Sequence, residues 1–138
     1  MNLLVDTSVW SLALRRNPPS NGAEVMFLRR ALMGDAAVFT TGVILQEILQ
    51  GIRGPKGRDV IMARFTTLPF LIPDRQDHVE AAFLHTACRQ KGLQVGTIDV
   101  LLAQLCLRHR LTILTTDRAF SRMANVEPLS VWRESGGG

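Results

Sequence analysis

The sequence predicts an α/β domain in which a parallel sheet is wrapped by helices. Three observations carry this. Two short runs, Leu3-Leu4-Val5 and Leu111 to Leu114, are apolar on successive residues but for Thr112, as strands covered on both faces require. Between them apolar residues recur at the i, i+3, i+4 spacing of amphipathic helices. Strand-like and helix-like segments also alternate along the chain, the pattern of strands joined by helical crossovers.

The first strand, Leu3 to Val5, ends at Asp6, and Ser8 to Leu14 reads as a short helix. Asn17-Pro18-Pro19-Ser20-Asn21-Gly22 breaks the chain. Val25, Leu28 and Leu32 give Glu24 to Met33 a helical period, stopped by Gly34-Asp35. Ala37 to Thr40 is the second strand, and Thr41 is placed to cap a helix over Val43 to Ile52. Gly54-Pro55-Lys56-Gly57 reads as a second break, Asp59 to Thr66 as a helix, and Pro69 to Ile72 as a short strand. A helix over Asp77 to Gln90 is expected to turn Val79, Ala82, Phe83, Thr86 and Ala87 inward and to end at Gly92. Thr97 is placed to cap the next helix, whose period runs through Ile98, Leu101, Leu102, Leu105, Cys106 and His109. Leu111 to Leu114, a helix over Asp117 to Met123 and a strand within Val126 to Val131 complete the elements.

A chain of 138 residues suits one core, so residues 1–133 are expected to form a single domain and 134–138 a flexible, glycine-ended tail. The hydrophobic fraction of 46% with 20% charged residues excludes disordered and fibrous classes. Net charge is +4, and of the 16 basic residues only Lys56 and Lys91 are lysines, leaving 14 arginines. Arginine presents a planar fork matched to phosphate, so an anionic partner such as nucleic acid is plausible. Arg15-Arg16 and Arg29-Arg30 are pairs able to follow a phosphate backbone, although a solvated face explains either equally well. Cys88 and Cys106 lie in apolar helical runs without metal-ligand spacing and read as reduced core residues of a cytoplasmic protein. No apolar run reaches the ~20 residues of a membrane span, and Asp6 interrupts the N-terminal one.

Four acids occupy positions of chemical interest. In open α/β sheets, sites form beyond the carboxyl ends of the strands. Asp6 follows the first strand there, and Asp117 lies shortly past Leu114. Glu47 sits in the helix after the second strand, and helical side chains tilt toward the helix start, hence toward the same edge. Asp99 is in the first turn of its helix. Taken singly, each has an ordinary explanation as a cap, a turn residue or a surface charge. Together they differ. Asp99 lies between Ile98 and Val100-Leu101-Leu102, and Glu47 between Leu45 and Ile48-Leu49, half-buried settings with no lysine or histidine placed to balance them. Four converging carboxylates repel one another, and a divalent cation removes that repulsion. All-oxygen ligands suit magnesium, with manganese as a substitute, and such an ion activates water for attack on a phosphodiester.

Asp6-Thr7-Ser8 after Leu3-Leu4-Val5, Glu47 in Gln46-Glu47-Ile48-Leu49, Asp99 in Gly96-Thr97-Ile98-Asp99, and Asp117 in Leu114-Thr115-Thr116-Asp117 resemble the four motifs of PIN-domain ribonucleases. Length and the Asp-Thr-Ser opening most resemble the VapC-type toxins of toxin–antitoxin pairs. The motifs run from the first strand to the last helix and so cover nearly the whole chain. The resemblance implies a Rossmann-like three-layer sandwich with a central, mostly parallel sheet, and magnesium-dependent endonucleolytic cleavage of RNA. It further implies a homodimer and a small VapB-like antitoxin that covers the site. Carried over by position, Asp6, Asp99 and Asp117 are metal ligands, Glu47 holds the attacking water or a second metal, and Ser8 and Thr115 support the acids. Many relatives carry a further acid two residues after the last aspartate. Ala119 stands there in this chain, so one metal site is implied and a second is left open.

His78, His85 and His109 lack metal spacing and read as surface or core residues. Trp10 and Phe70 read as packing residues, and Met26 and Met33 as core or dimer contacts. Two other acidic-pocket enzymes and modules fit less well. Haloacid-dehalogenase chemistry needs a second acid where Ser8 stands, and a receiver domain needs paired acids after the first strand, where Thr7 follows Asp6. A PIN-like nuclease of RNA processing, or an idle RNA- or protein-binding domain on the same fold, remains as the alternative reading.

Overall fold

The computed structural model describes residues 1–135. The expected tail, 134–138, lies partly outside them. Five strands form one sheet: β1 (Asn2–Val5), β2 (Ala37–Thr41), β3 (Phe70–Leu71), β4 (Thr112–Leu114) and β5 (Ser130–Val131). Their order is β3-β2-β1-β4-β5, and every pairing is parallel. Helices cover both sides of the sheet, as the α/β expectation requires. They are α1 (Thr7–Ala13), α2 (Ala23–Met33), α3 (Gly42–Gln50), α4 (Pro55–Phe65), α5 (Arg75–Gln90), α6 (Thr97–His109) and α7 (Arg118–Met123).

β1 is central, pairing Leu4 with Phe39 of β2 on one side and with Ile113 of β4 on the other. Leu3, Leu4, Val5, Ile113 and Leu114 are fully buried, which is why their sequence is apolar without alternation. Each such side chain contributes about 1.5–3 kcal/mol by leaving water. The chain winds outward from β1 to β2 and β3, then returns to the opposite side of β1 as β4. Strand order therefore reverses between β1 and β4, and a crevice opens at their carboxyl ends.

Several local expectations are corrected. Gly54-Pro55-Lys56-Gly57 begins α4 rather than separating two elements. Pro55 occupies the first turn, where no amide hydrogen is needed. Thr41 ends β2 and holds the N-cap position of α3 as expected, but its hydroxyl donates to the Leu71 carbonyl at 2.6 Å and caps no helix amide. Gly96, not Thr97, precedes α6, and its amide is satisfied by the Asp99 side chain. On α5 the inward stripe is Asp77, Ala81, Leu84 and Cys88, whereas Phe83 is 63% exposed and Val79 also faces out. Small residues on the inward stripe let α5 pack closely on α6. Met26 and Met33 are exposed and lie outside the core. Phe70, read with Trp10 as a packing residue, and Ile98, expected inward on its helix, are also exposed, whereas Trp10 is buried with its ring 4.9 Å from Phe65 and both cysteines are buried. Burial also pushes both thiols above their usual range, consistent with packing rather than thiolate chemistry. Gly92, with φ +77°, takes the left-handed turn that lets the chain leave α5.

Asp74 and Asp77 start α5 with a reciprocal capping box: each carboxylate accepts the other residue's amide at 2.9 Å. Arg108, near the end of α6, reaches both acids, at 2.5 Å to Asp77 and 3.2 Å to Asp74. The start of α5 is thus tied to the end of α6, so the two helices run antiparallel. Among the described residues, no helix is long and apolar enough to cross a membrane.

Candidate active site at the carboxyl edge of β1 and β4

Asp6 is pinned between a strand and a helix. Its amide donates to the Leu114 carbonyl at 2.9 Å, extending the β1–β4 ladder by one residue. Its own carbonyl accepts from Val9 and Trp10 and so starts α1. The side chain is buried and its Oδ2 accepts two hydroxyl protons, from Ser8 and from Thr115, each at 2.8 Å. Each hydroxyl in turn accepts a backbone amide: Ser8 from Thr116 at 3.1 Å, Thr115 from Asp117 at 2.9 Å. A hydroxyl has one proton, and both are given to Asp6, so the 3.3 Å approach of Ser8 to Thr115 is a contact without a proton between them. This network knits the end of β1 to the turn after β4.

The other three acids arrive on separate helices. Asp117 caps α7, its Oδ1 accepting the Ala119 amide at 2.9 Å. Glu47, in the second turn of α3, accepts the Thr7 hydroxyl on Oε1 at 2.9 Å. Asp99, in the first turn of α6, accepts the Gly96 amide on Oδ2 at 3.2 Å. A Cβ at position 96 would stand only 3.2 Å from that same oxygen, so a larger residue there would crowd the carboxylate. Burial raises the Asp99 carboxyl above its usual range, the Gly96 amide opposes this, and the negative charges of Asp117, Asp6 and Glu47 raise it further. All four acids therefore share one electrostatic neighbourhood.

Two features of this group bear on a metal. Each carboxylate is held through one oxygen by a protein donor, and the other oxygen has no protein hydrogen bond: Oδ1 of Asp6, Oε2 of Glu47, Oδ1 of Asp99 and Oδ2 of Asp117. Among the described residues no arginine, lysine or histidine forms an ion pair with any of the four. The donor chemistry thus fits a hard divalent cation, which prefers carboxylate and water oxygens. As they stand, no three His, Cys, Asp or Glu side chains among the described residues are close enough to hold an ion between them. Holding an ion between three of them would require these side chains to turn toward a common point.

The structure joins Asp6, Ser8, Thr115 and Asp117 through hydrogen bonds and sets Asp99 among the charges of Asp117, Asp6 and Glu47, while among the described residues no three acids lie within reach of a common ion. It adds Thr7, which holds Glu47. Thr7 lies inside the Asp-Thr-Ser opening, but its partner is 40 residues away and no local pattern announces the contact.

A family model described as PIN domain matches residues 3–126. Among solved structures, the fold is similar to VapBC2 from Rickettsia felis bound to a promoter DNA fragment, with TM-score 0.74 and 17% identity over 96% of this chain and 100% of that one. It is similar to FitAcB from Neisseria gonorrhoeae, with TM-score 0.69 and 19% identity over 95% and 96% of the two chains. VapC20 of Mycobacterium tuberculosis, a toxin that cleaves the sarcin–ricin loop, gives TM-score 0.66 and 16% identity over 86% and 92%. At these identities the likeness is one of fold. No curated protein matches by sequence.

Proposed function

The chain belongs to the PIN-domain family, and from that premise we propose that it is a divalent-metal-dependent endoribonuclease acting as the toxin of a toxin–antitoxin pair. One observation carries the reading: four carboxylates from four elements, each tethered through one oxygen, with no protein cation to balance them. Solved structures of the same fold include VapBC and FitAB assemblies, which supports a small antitoxin as partner. Exposed apolar side chains on the β3–α5 stretch, Ile72, Val79 and Phe83, support a homodimer.

In this reading Asp6, Asp99 and Asp117 would hold a magnesium or manganese ion. When bound, such an ion supplies Lewis-acid stabilisation of charge on the phosphodiester. Ser8 and Thr115 fix the Asp6 carboxylate by taking up its second oxygen. Glu47, steadied by Thr7, presents Oε2 to the attacking water and accepts its proton as the phosphorus–oxygen bond forms. The phosphorus–oxygen bond to the leaving ribose breaks as the new one forms, and the leaving oxygen takes a proton from solvent water at the open crevice.

The test is cleavage of RNA by the purified chain with and without magnesium, and with chelator. Cleavage is expected to need the metal and to fall at least about 100-fold in Asp99→Asn with the fold intact. Undiminished cutting by that variant overturns the site assignment.

A further inference from the structure

Beside the acids lies a groove of about 470 Å³ between α5, α6 and the start of α3. Its walls continue those of the crevice. Val43 stands one helical turn before Glu47 on α3, and Thr97 and Ile98 immediately precede Asp99 on α6. The facing wall is α5, which contributes His78, His85 and Arg89. Spacings of seven and four residues put these three on one helix face, along roughly 16 Å of axis. Because Arg108 ties the start of α5 to the end of α6, the Arg89 end of α5 lies beside the Asp99 end of α6. No acid lines the groove, and among the described residues no carboxylate pairs with Arg89, His78 or His85.

A strand of RNA brought up to four carboxylates meets like charge, and positive charge alongside is needed to hold it. The groove offers that charge on one wall and an apolar surface on the other. We propose that it seats the single-stranded RNA nucleotide next to the scissile phosphate. Arg89 and His85 donate to its phosphate oxygens, and the base lies against Ile98 and Val43. This rests on reading the acids as an RNA-cleaving site. It makes Arg89 and His85 substrate-positioning residues, outside the metal-holding set.

The experiment measures binding of a short, end-labelled single-stranded RNA to the full chain by fluorescence anisotropy in chelator, across a salt series. Arg89→Gln and His85→Asn are compared with the wild type and with Arg64→Gln on α4, which does not line the groove. Each groove variant is expected to weaken binding about tenfold, and Arg89→Gln to reduce the slope of log K against log salt by about 0.7 for its lost phosphate contact. With magnesium, the loss should fall in KM rather than kcat, and Arg64→Gln should behave as wild type. If the wild type binds and cuts RNA while both groove variants do so equally well, the proposal is overturned and the nuclease reading stands. It is also overturned if the variants keep RNA affinity but change the size of the particle in solution, which would make the groove a contact between copies of the chain. If the wild type neither binds nor cuts RNA, both readings fall together.

Discussion

Two groups of carboxylates in this molecule sit under opposite electrostatic conditions. Asp74 and Asp77 open α5 with Arg108 beside them, and Asp77 is only 1% exposed. Burial pushes the Asp77 carboxyl up, but the Asp74 amide and the Arg108 charge and hydrogen bond outweigh it, leaving it below the usual range. Asp99 shares its surroundings with three more acids and no cation, and its carboxyl is raised. The first group is balanced in charge as folded, with Asp77 Oδ1 left buried without a hydrogen-bond partner. The second stores repulsion that only something from outside the chain relieves. Charge is neutralised where it joins helices and left bare where the crevice opens, a contrast typical of structural against functional acids.

The largest test of this contrast is a thermal melt with magnesium or manganese. An ion that binds only the folded chain stabilises it by about 2.7 kcal/mol at a hundred times its Kd. That rise should vanish in Asp99→Asn and persist in Arg108→Ala. Arg108→Ala, in turn, is expected to cost about 2 kcal/mol in denaturant unfolding, below the ~3–5 of a fully buried pair because the Arg108 side chain is 44% exposed. An unchanged midpoint would place the Arg108 pairs among inert surface contacts. Thr7→Val should cost about 1 kcal/mol by removing the 2.9 Å bond to Glu47, read by the same unfolding curve.

The smallest effect is in the pH dependence, where the two groups should show opposite signs. The contribution of Asp77 is complete above its ordinary value of 3.8 and is lost as pH falls through its lowered folded value. That of Asp99 is complete below 3.8 and is lost as pH rises through its raised value. Arg108→Ala should therefore flatten the acid limb of a stability profile, whereas Asp99→Asn should lift the metal-free chain at neutral pH. A metal-free Asp99→Asn chain that melts below wild type would remove the repulsion from the account.

Legibility in the sequence followed the range of the interactions. β1 and β4 were readable because a strand covered on both faces writes itself as consecutive apolar residues. Asp6, Asp99 and Asp117 were singled out because each lies where an element ends or begins, and Glu47 because helical side chains tilt toward the same edge. The inward face of α5 was not. Phe83 and Val79 are the more hydrophobic choice, yet the helix turns in Ala81, Leu84, Cys88 and a charged Asp77. That choice depends on Arg108, 31 residues further along, and hydrophobic periodicity cannot register a buried charge whose partner lies on another helix. Thr7 escaped for the same reason; the Thr41 hydroxyl turns to a strand carbonyl that no local pattern announces, and Thr97 is displaced from the cap by Gly96 one residue earlier.

The central position of β1 has a consequence for synthesis. The strand made first acquires its second neighbour only when β4, more than a hundred residues later, has left the ribosome. Until then one edge of β1 is open, Thr115 is not yet beside Asp6, and Asp117 does not exist. The four acids cannot be assembled by any nascent fragment that stops short of α7. Whatever chemistry the crevice performs would thus be unavailable throughout elongation and would begin only with the last stretch of chain.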